Sequence, residues 1–195
     1  MKIGTLTLHR SQNYGGLLQA FALQNVLKKM GFTSEIIDYW YPGSSEALYG
    51  LTFTSAKSIR GKARCAVDSL IGSVCNIHEQ KLLRIKRSVE FIKEYLSEES
   101  YLNYNALKEG ARGYDAYICG SDQVWNPNFR AADGAFRLEF VPAKCKKLSY
   151  AASFGVSSLS HEAASLYGHA LQRFDHISVR ESDGVNIVRD IADRK

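Results

Sequence analysis

Residues 2–39 read KIGTLTLHRSQNYGGLLQAFALQNVLKKMGFTSEIIDY, and this stretch decides the fold. Lys2 to Leu8 is short, apolar and rich in β-branched residues, the pattern of a buried strand. His9 to Gly16 follows as a polar loop. The spacing then predicts a helix from about Leu17 to Met30. Leu23, Val26, Leu27 and Met30 fall at i, i+3, i+4 and i+7, one face of a 3.6-residue period. Gly31 supplies the expected stop just past its end. Thr33 to Tyr39, carrying Ile36 and Ile37, reads as a second strand. Strand, helix and strand in this order imply parallel pairing through a right-handed crossover.

Working outward, residues 40–54 show no period and read as loop. A weak helix fits 55–75, and a strong one Glu79 to Leu96, where Leu82, Ile85, Val89, Ile92 and Leu96 lie three and four apart. A short helix is expected over Tyr104 to Ala111. The strands then resume at Tyr114 to Cys119, Phe136 to Val141 (an edge strand by its alternation) and Lys147 to Ser153. Ala163, Leu166, Tyr167, Ala170, Leu171 and Phe174 mark an amphipathic helix. His176 to Val179 reads as a strand and Ser182 to Ala192 as a helix. No repeat of fixed period is visible. Alternating strands and helices give an α/β class with a doubly wound, mainly parallel Rossmann-like sheet.

The 195 residues are 45% hydrophobic and 23% charged, ordinary globular usage that excludes a disordered or collagen-like chain. No run reaches the roughly 18 apolar residues of a membrane span. The first residues lack a secretory signal pattern, so a cytoplasmic location is expected. The net charge of +5 is local: 55–95 hold nine basic residues against four acidic ones. A solvated helix face explains that excess as well as an anionic partner does. No nucleic-acid-binding signature accompanies it. Cys65, Cys75, Cys119 and Cys145 form no C-x-x-C pair, so neither a zinc site nor any other metal is expected. Cys119, inside an apolar run, reads as a small buried hydrophobe.

In open α/β sheets ligands bind beyond the carboxyl ends of the strands, and four loops qualify. The first is His9 to Gly16. Its glycines before a helix let backbone N–H groups approach an anion, or serve the turn alone. It is neither a dinucleotide fingerprint nor a P-loop, and no cofactor is expected. The second loop, Gly120-Ser121-Asp122-Gln123-Val124-Trp125-Asn126-Pro127, gathers a carboxylate, amides, a hydroxyl and an indole. Asp122 can act as a general base or orient a hydroxyl. Equally it can cap a turn while Trp125 fills the core. The third loop is Ser153-Phe154-Gly155, after Tyr150. In the fourth, Arg180-Glu181-Ser182, Arg180 can grip a carboxylate or phosphate bidentately or pair with Glu181. Of the five histidines only His9 lies in such a loop.

Four segments together resemble the polysaccharide pyruvyl transferase family: Ile3 to Ala20, Tyr114 to Asn126, Ser149 to Gly155 and Phe174 to Glu181. Their order and spacing fit across nearly the whole chain. The resemblance implies a GT-B-like architecture of two Rossmann-like domains facing across a cleft. It implies transfer of pyruvate from phosphoenolpyruvate to sugar hydroxyls as a cyclic ketal, during cell-surface polysaccharide biosynthesis. The partners it implies are phosphoenolpyruvate and a saccharide acceptor, with peripheral membrane association if that acceptor is lipid-linked. Family members continue into a second domain, so the chain is expected to be an N-terminal half, completed by a C-terminal domain or by a homo-oligomer. On this reading Asp122, Arg180 and His9 carry chemistry. Asn13, Tyr14, Gly15, Gly16, Ser121, Gln123, Asn126 and Glu181 bind substrate. A sugar-nucleotide glycosyltransferase of the same architecture, or a non-catalytic anion-binding or interaction domain, are the alternatives.

Overall fold

A computed structural model describes residues 1–10, 13–41, 44, 77–96, 99–128 and 134–192. The helix expected at 55–75 and most of the loop at 40–54 lie outside the described residues.

Four parallel strands form the main sheet: β1 (Lys2–Leu6), β2 (Thr33–Ile36), β5 (Ala116–Asp122) and β6 (Lys146–Ala152), in the order β2-β1-β5-β6. Thr5 pairs with Ile36 and Ile118, and Asp122 pairs with Ala152. Two short strands, β3 (Asp38–Tyr39) and β4 (Ser100–Tyr101), pair separately and in parallel. The helices are α1 (Tyr14–Lys29), α2 (Ile77–Phe91, running into a π turn at Ile92–Leu96), α3 (Tyr104–Gly110), α4 (His161–Leu171) and α5 (Ser182–Ala192).

Both faces of the sheet are covered, as the period-2 alternation of side chains requires. Ile3, Ala116 and Ile118 join Leu27 of α1 in one buried cluster. Leu6, Tyr117 and Cys119 point the other way, into the main core with Trp125, Phe154 and Phe174. The Trp125 ring meets Phe154 at 5.3 Å and Phe174, edge-on, at 5.7 Å.

Four local expectations are corrected. First, α1 begins at Tyr14 rather than Leu17, because Asn13 caps it: Asn13 Oδ1 accepts from the Gly15 N–H at 2.9 Å. Second, the strand read over Thr33 to Tyr39 breaks at Ile37. The Ile37 N–H still donates to Thr5 O, but Asp38 turns away into β3, where His9, Arg10 and Ser100 bind its carboxylate. Third, Phe136 to Val141 is not an edge strand. Ala135–Arg137 is a 3₁₀ turn and Leu138 is left-handed, with φ 52°. The Phe136 carbonyl accepts from the Trp125 indole and the Cys119 thiol instead of a neighbouring strand. The apolar–polar alternation of Phe136 to Phe140 is one of sequence and not of burial, since Arg137 is buried together with Phe136 and Leu138. Fourth, His176 to Val179 does run parallel to β6 and hydrogen-bonds to it, through Ser149 N–H to His176 O, Ser178 N–H to Ser149 O and Ala152 N–H to Ser178 O. The pairing is interrupted, however, with bridges at Leu148–His176 and Ala152–Val179 instead of a continuous ladder. Ala151, at φ 47°, breaks the pleat between them.

Candidate functional site

All strands of the main sheet run parallel, so the four loops singled out in the sequence emerge along one edge. In sheet order, β1 connects to its neighbour β2 on one side while β5 lies on the other. The crevice between the carboxyl ends of β1 and β5 is therefore the topological switch point. Three polar side chains close it. Thr7 Oγ1 donates to Ser121 O at 2.8 Å, Ser121 Oγ donates to Gln19 Oε1 at 2.7 Å, and Gln19 Nε2 donates to Thr7 Oγ1 at 2.8 Å. This ring ties the end of β1, the second turn of α1 and the end of β5 together.

On the β1 side stands the start of α1. Tyr14 is about half exposed and Gly15 is open to solvent, whereas Gly16 is buried. The glycines lie inside the first helical turn, and Asn13 already answers their N–H groups, through its side chain for Gly15 and its carbonyl for Gly16. Anion binding by bare backbone is thus reduced there. What remains is the positive helix end itself.

In the middle of the edge, Asp122 has φ 84°, a left-handed conformation that Asp tolerates better than most residues. Its Oδ1 accepts from Gln123 N at 2.8 Å, and its carbonyl accepts from the Val124 and Ser153 amides. The capping role is therefore present. Its second carboxylate oxygen has no hydrogen bond among the described residues. Trp125 is fully buried, as the core reading required. Asn126 Nδ2 donates to Gln123 Oε1 at 3.0 Å. Gly155, at φ 62°, lies against this amide pair so closely that an added Cβ would stand 2.6 Å from Asn126 Nδ2. The second and third loops thus form one surface.

Arg180 stands at the far end, beyond β6, where its amide donates to Ala152 O at 3.0 Å. It is exposed and stands two residues before α5. No ion pair joins it to Glu181, and its guanidinium has no partner among the described residues. Three strand spacings, about 14 Å, separate this lane from that of β1. One small anion cannot touch both α1 and Arg180, so the edge offers room for two ligands side by side.

His9 is placed differently. It is fully buried, with Nε2 at 2.8 Å from Asp38 Oδ1 and Nδ1 at 3.0 Å from Thr7 O. Arg10 grips the same carboxylate through Nε and a terminal nitrogen, each at 2.5 Å, and lies 4.3 Å over the Trp40 ring. Burial pushes the Asp38 carboxyl up, but the hydrogen bonds from His9 and Arg10 outweigh it and hold the group well below the usual carboxylate range. This cluster fastens the root of the first loop rather than facing the edge. Of the residues in this cluster and in the Thr7–Gln19–Ser121 ring, the sequence singled out only His9 and Ser121, with other roles, and missed Arg10, Asp38, Thr7 and Gln19. The available signal was polar residues at positions where the apolar pattern called for core.

Among the described residues no three His, Cys, Asp or Glu side chains gather to hold a metal, and no helix is long and apolar enough to cross a membrane. A cavity of about 650 Å³ lies at the opposite edge, near Lys2, Thr33 and Tyr114 at the strand beginnings.

A sequence model of one family, described as polysaccharide pyruvyl transferase, matches residues 13–192. That span holds the start of α1, the Ser121–Asn126 loop and Arg180. No curated protein and no solved structure matches the chain.

Proposed function

The chain belongs to the polysaccharide pyruvyl transferase family, and we propose that it transfers pyruvate from phosphoenolpyruvate to saccharide hydroxyls as a ketal. The observation that carries this reading is Arg180, an exposed guanidinium with no partner among the described residues, set at the start of α5 on the carboxyl edge. Phosphoenolpyruvate bears a carboxylate and a phosphate. A planar fork of donors beside a helix N-terminus suits either group.

In this reading the methylene carbon of phosphoenolpyruvate takes a proton and the neighbouring carbon gains oxocarbenium character. A sugar hydroxyl adds there and loses its proton, phosphate departs with the C–O bonding pair, and a second hydroxyl closes the ring. Asp122, whose second carboxylate oxygen is uncommitted among the described residues, orients or deprotonates the attacking hydroxyl. Arg180 stabilises charge on the donor. Gln123 and Asn126 continue the edge from Asp122, and Ser121 lies on its α1 side, where it binds Gln19. A second domain of the GT-B kind, facing this edge, would complete the acid–base set. The acceptor is taken at the cytoplasmic side, from a lipid-linked saccharide if one is used.

The test is phosphate release from phosphoenolpyruvate in the presence of saccharide acceptors, with thermal melting on the same sample. Phosphoenolpyruvate should raise the melting temperature, since a ligand that binds only the folded state stabilises it. A rise with nucleotide sugars and none with phosphoenolpyruvate would overturn the reading in favour of glycosyl transfer.

A further inference from the structure

A second cavity, about 440 Å³, opens between the loop after β5 (Pro127, Asn128), the loop after β6 (Val156, Ser158) and the first turns of α4. Its volume falls in the usual range for small-molecule pockets, about 300–1,000 Å³. Both loops leave carboxyl ends of strands, and they continue directly from Gln123–Asn126 and Gly155. The cavity thus belongs to the carboxyl edge, but none of the residues assigned above lines it.

Its charge is already balanced. Arg137, only 5% exposed, contributes to the lining. Its Nε donates to Glu139 Oε1 at 2.7 Å, and the guanidinium lies 5.5 Å from the Tyr167 ring centroid. Burial pushes the Tyr167 phenol up, with Arg137 pulling the other way, so the phenol stays a neutral hydroxyl. At the start of α4, the Ser160 hydroxyl caps the Ala163 amide, and Glu162 sits in the first turn, where the helix end favours a negative charge. A dianionic phosphate would find the buried cation engaged and a carboxylate at the mouth.

A neutral polyhydroxylic ligand meets the opposite situation. Glu162 and Asn128 can accept from neighbouring hydroxyls, while Ser158 and the Asn128 amide can donate. Pro127, Val156 and the exposed Leu166 offer apolar surface to the C–H face of a sugar ring. We propose that this cavity is the acceptor-saccharide subsite, distinct from the anion-holding end at Arg180. The assignment rests on the pyruvyl-transfer reading for its ligand class. It also explains why the edge is wide enough for two ligands.

The test is saturation-transfer NMR on the full chain with methyl β-galactopyranoside, methyl α-glucopyranoside and methyl α-mannopyranoside. Phosphoenolpyruvate binding is followed separately by phosphorus line broadening. Ala163→Trp places an indole into the cavity from a half-buried helical position. It should cut glycoside saturation at least about fivefold while phosphoenolpyruvate broadening is kept. Glu162→Gln, an exposed and nearly isosteric change, should weaken glycoside binding at least about threefold with melting lowered only by the small loss of one first-turn charge, and serves if the tryptophan variant does not fold. Glycoside saturation equal in wild type and both variants would overturn the subsite. So would phosphoenolpyruvate binding with no glycoside signal at all, an outcome that leaves the transferase reading standing. Binding of neither ligand would overturn both.

Discussion

At the scale of single residues, three side chains separate chemistry from support. Arg180 has no structural partner among the described residues, so Arg180→Lys should leave the melting temperature within a degree or two. Lysine keeps the charge but loses the bidentate fork. A charge-assisted hydrogen bond is worth about 1.5–3 kcal/mol, so pyruvyl transfer should fall at least about tenfold. A lower melting temperature with activity kept would make Arg180 structural. Asp122 needs a pair of variants, because its carboxylate both caps Gln123 and faces the edge. Asparagine keeps the Gln123 cap and tolerates φ 84°. Asp122→Asn should therefore fold normally and lose activity at least about a hundredfold if Asp122 is a base. Asp122→Ala should in addition lose about 1–2 kcal/mol of stability to left-handed strain, read from urea midpoints. Asp38 makes a statement about pH. Its folded-state pKa lies below the ordinary 3.8, so the unfolded chain binds more protons in between, and stability rises with pH there. The contribution is complete above the ordinary value and is lost as pH falls below it. Urea midpoints should drop between pH 4 and pH 2 in the wild type, and less steeply in Asp38→Asn, which starts from a lower midpoint at pH 7. Parallel pH slopes would remove Asp38 from that role.

At the scale of elements, the central question is how α1 presents its first turn. Asn13 is the cap, and Asn13→Ala should cost about 1 kcal/mol, within the usual 0.5–2 for such caps. Asn13→Asp should recover most of it, since an acidic side chain also suits the positive helix end. Equal urea midpoints for all three proteins would mean the cap is redundant. The sequence showed this helix well enough through Leu23, Val26, Leu27 and Met30, yet it misplaced the start by three residues. Gly15 and Gly16 read as loop because their low intrinsic helix propensity masked the local cap supplied by Asn13 just before them. The strands β1 and β5 were legible because they are buried on both faces and read as near-continuous apolar runs, and β6 because its buried positions alternate with more exposed ones. Phe136 to Val141 was misread for the converse reason. An alternation of apolar and polar residue types can also fall on a buried turn whose carbonyl is taken by an indole and a thiol, and no local pattern reveals a side-chain partner far along the chain. The candidate site was legible as loops after strands. Its inner ring was not, because Thr7, Gln19 and Ser121 meet only through the parallel register of β1 and β5.

At the scale of the whole molecule, the βα units dictate where an anion can sit. Each of α1, α4 and α5 follows a strand lane of the main sheet, so their N-termini all point to the carboxyl edge and their C-termini to the other. The positive helix ends therefore reinforce Arg180 at one edge. At the amino edge lies the larger cavity, and the comparison of size alone would choose it. Its electrostatics argue otherwise. Gln24 and Lys28 mark the C-terminal, negative end of α1, and Glu35, Glu94 and Glu99 line the same space beside Lys2, Lys28, Lys93 and Arg112, so its side-chain charges nearly balance and the helix end offers an anion no help. Lys2 is already engaged with Glu35 at 3.1 Å, which also accepts from the Tyr114 hydroxyl at 3.0 Å. Helix polarity and cavity volume thus point to opposite edges, and amide hydrogen exchange can decide between them. With saturating phosphoenolpyruvate, exchange should slow at residues 120–126, 153–155 and 180–184, where the ligand touches loops and the first turn of α5. Residues 33–35 and 112–114 at the amino edge should exchange at unchanged rates. In Arg180→Lys the protection at 180–184 should fade first, because that variant removes the fork and leaves the helix end in place. Protection confined to 33–35 and 112–114 would move the donor site across the sheet, and with it the role assigned to Arg180.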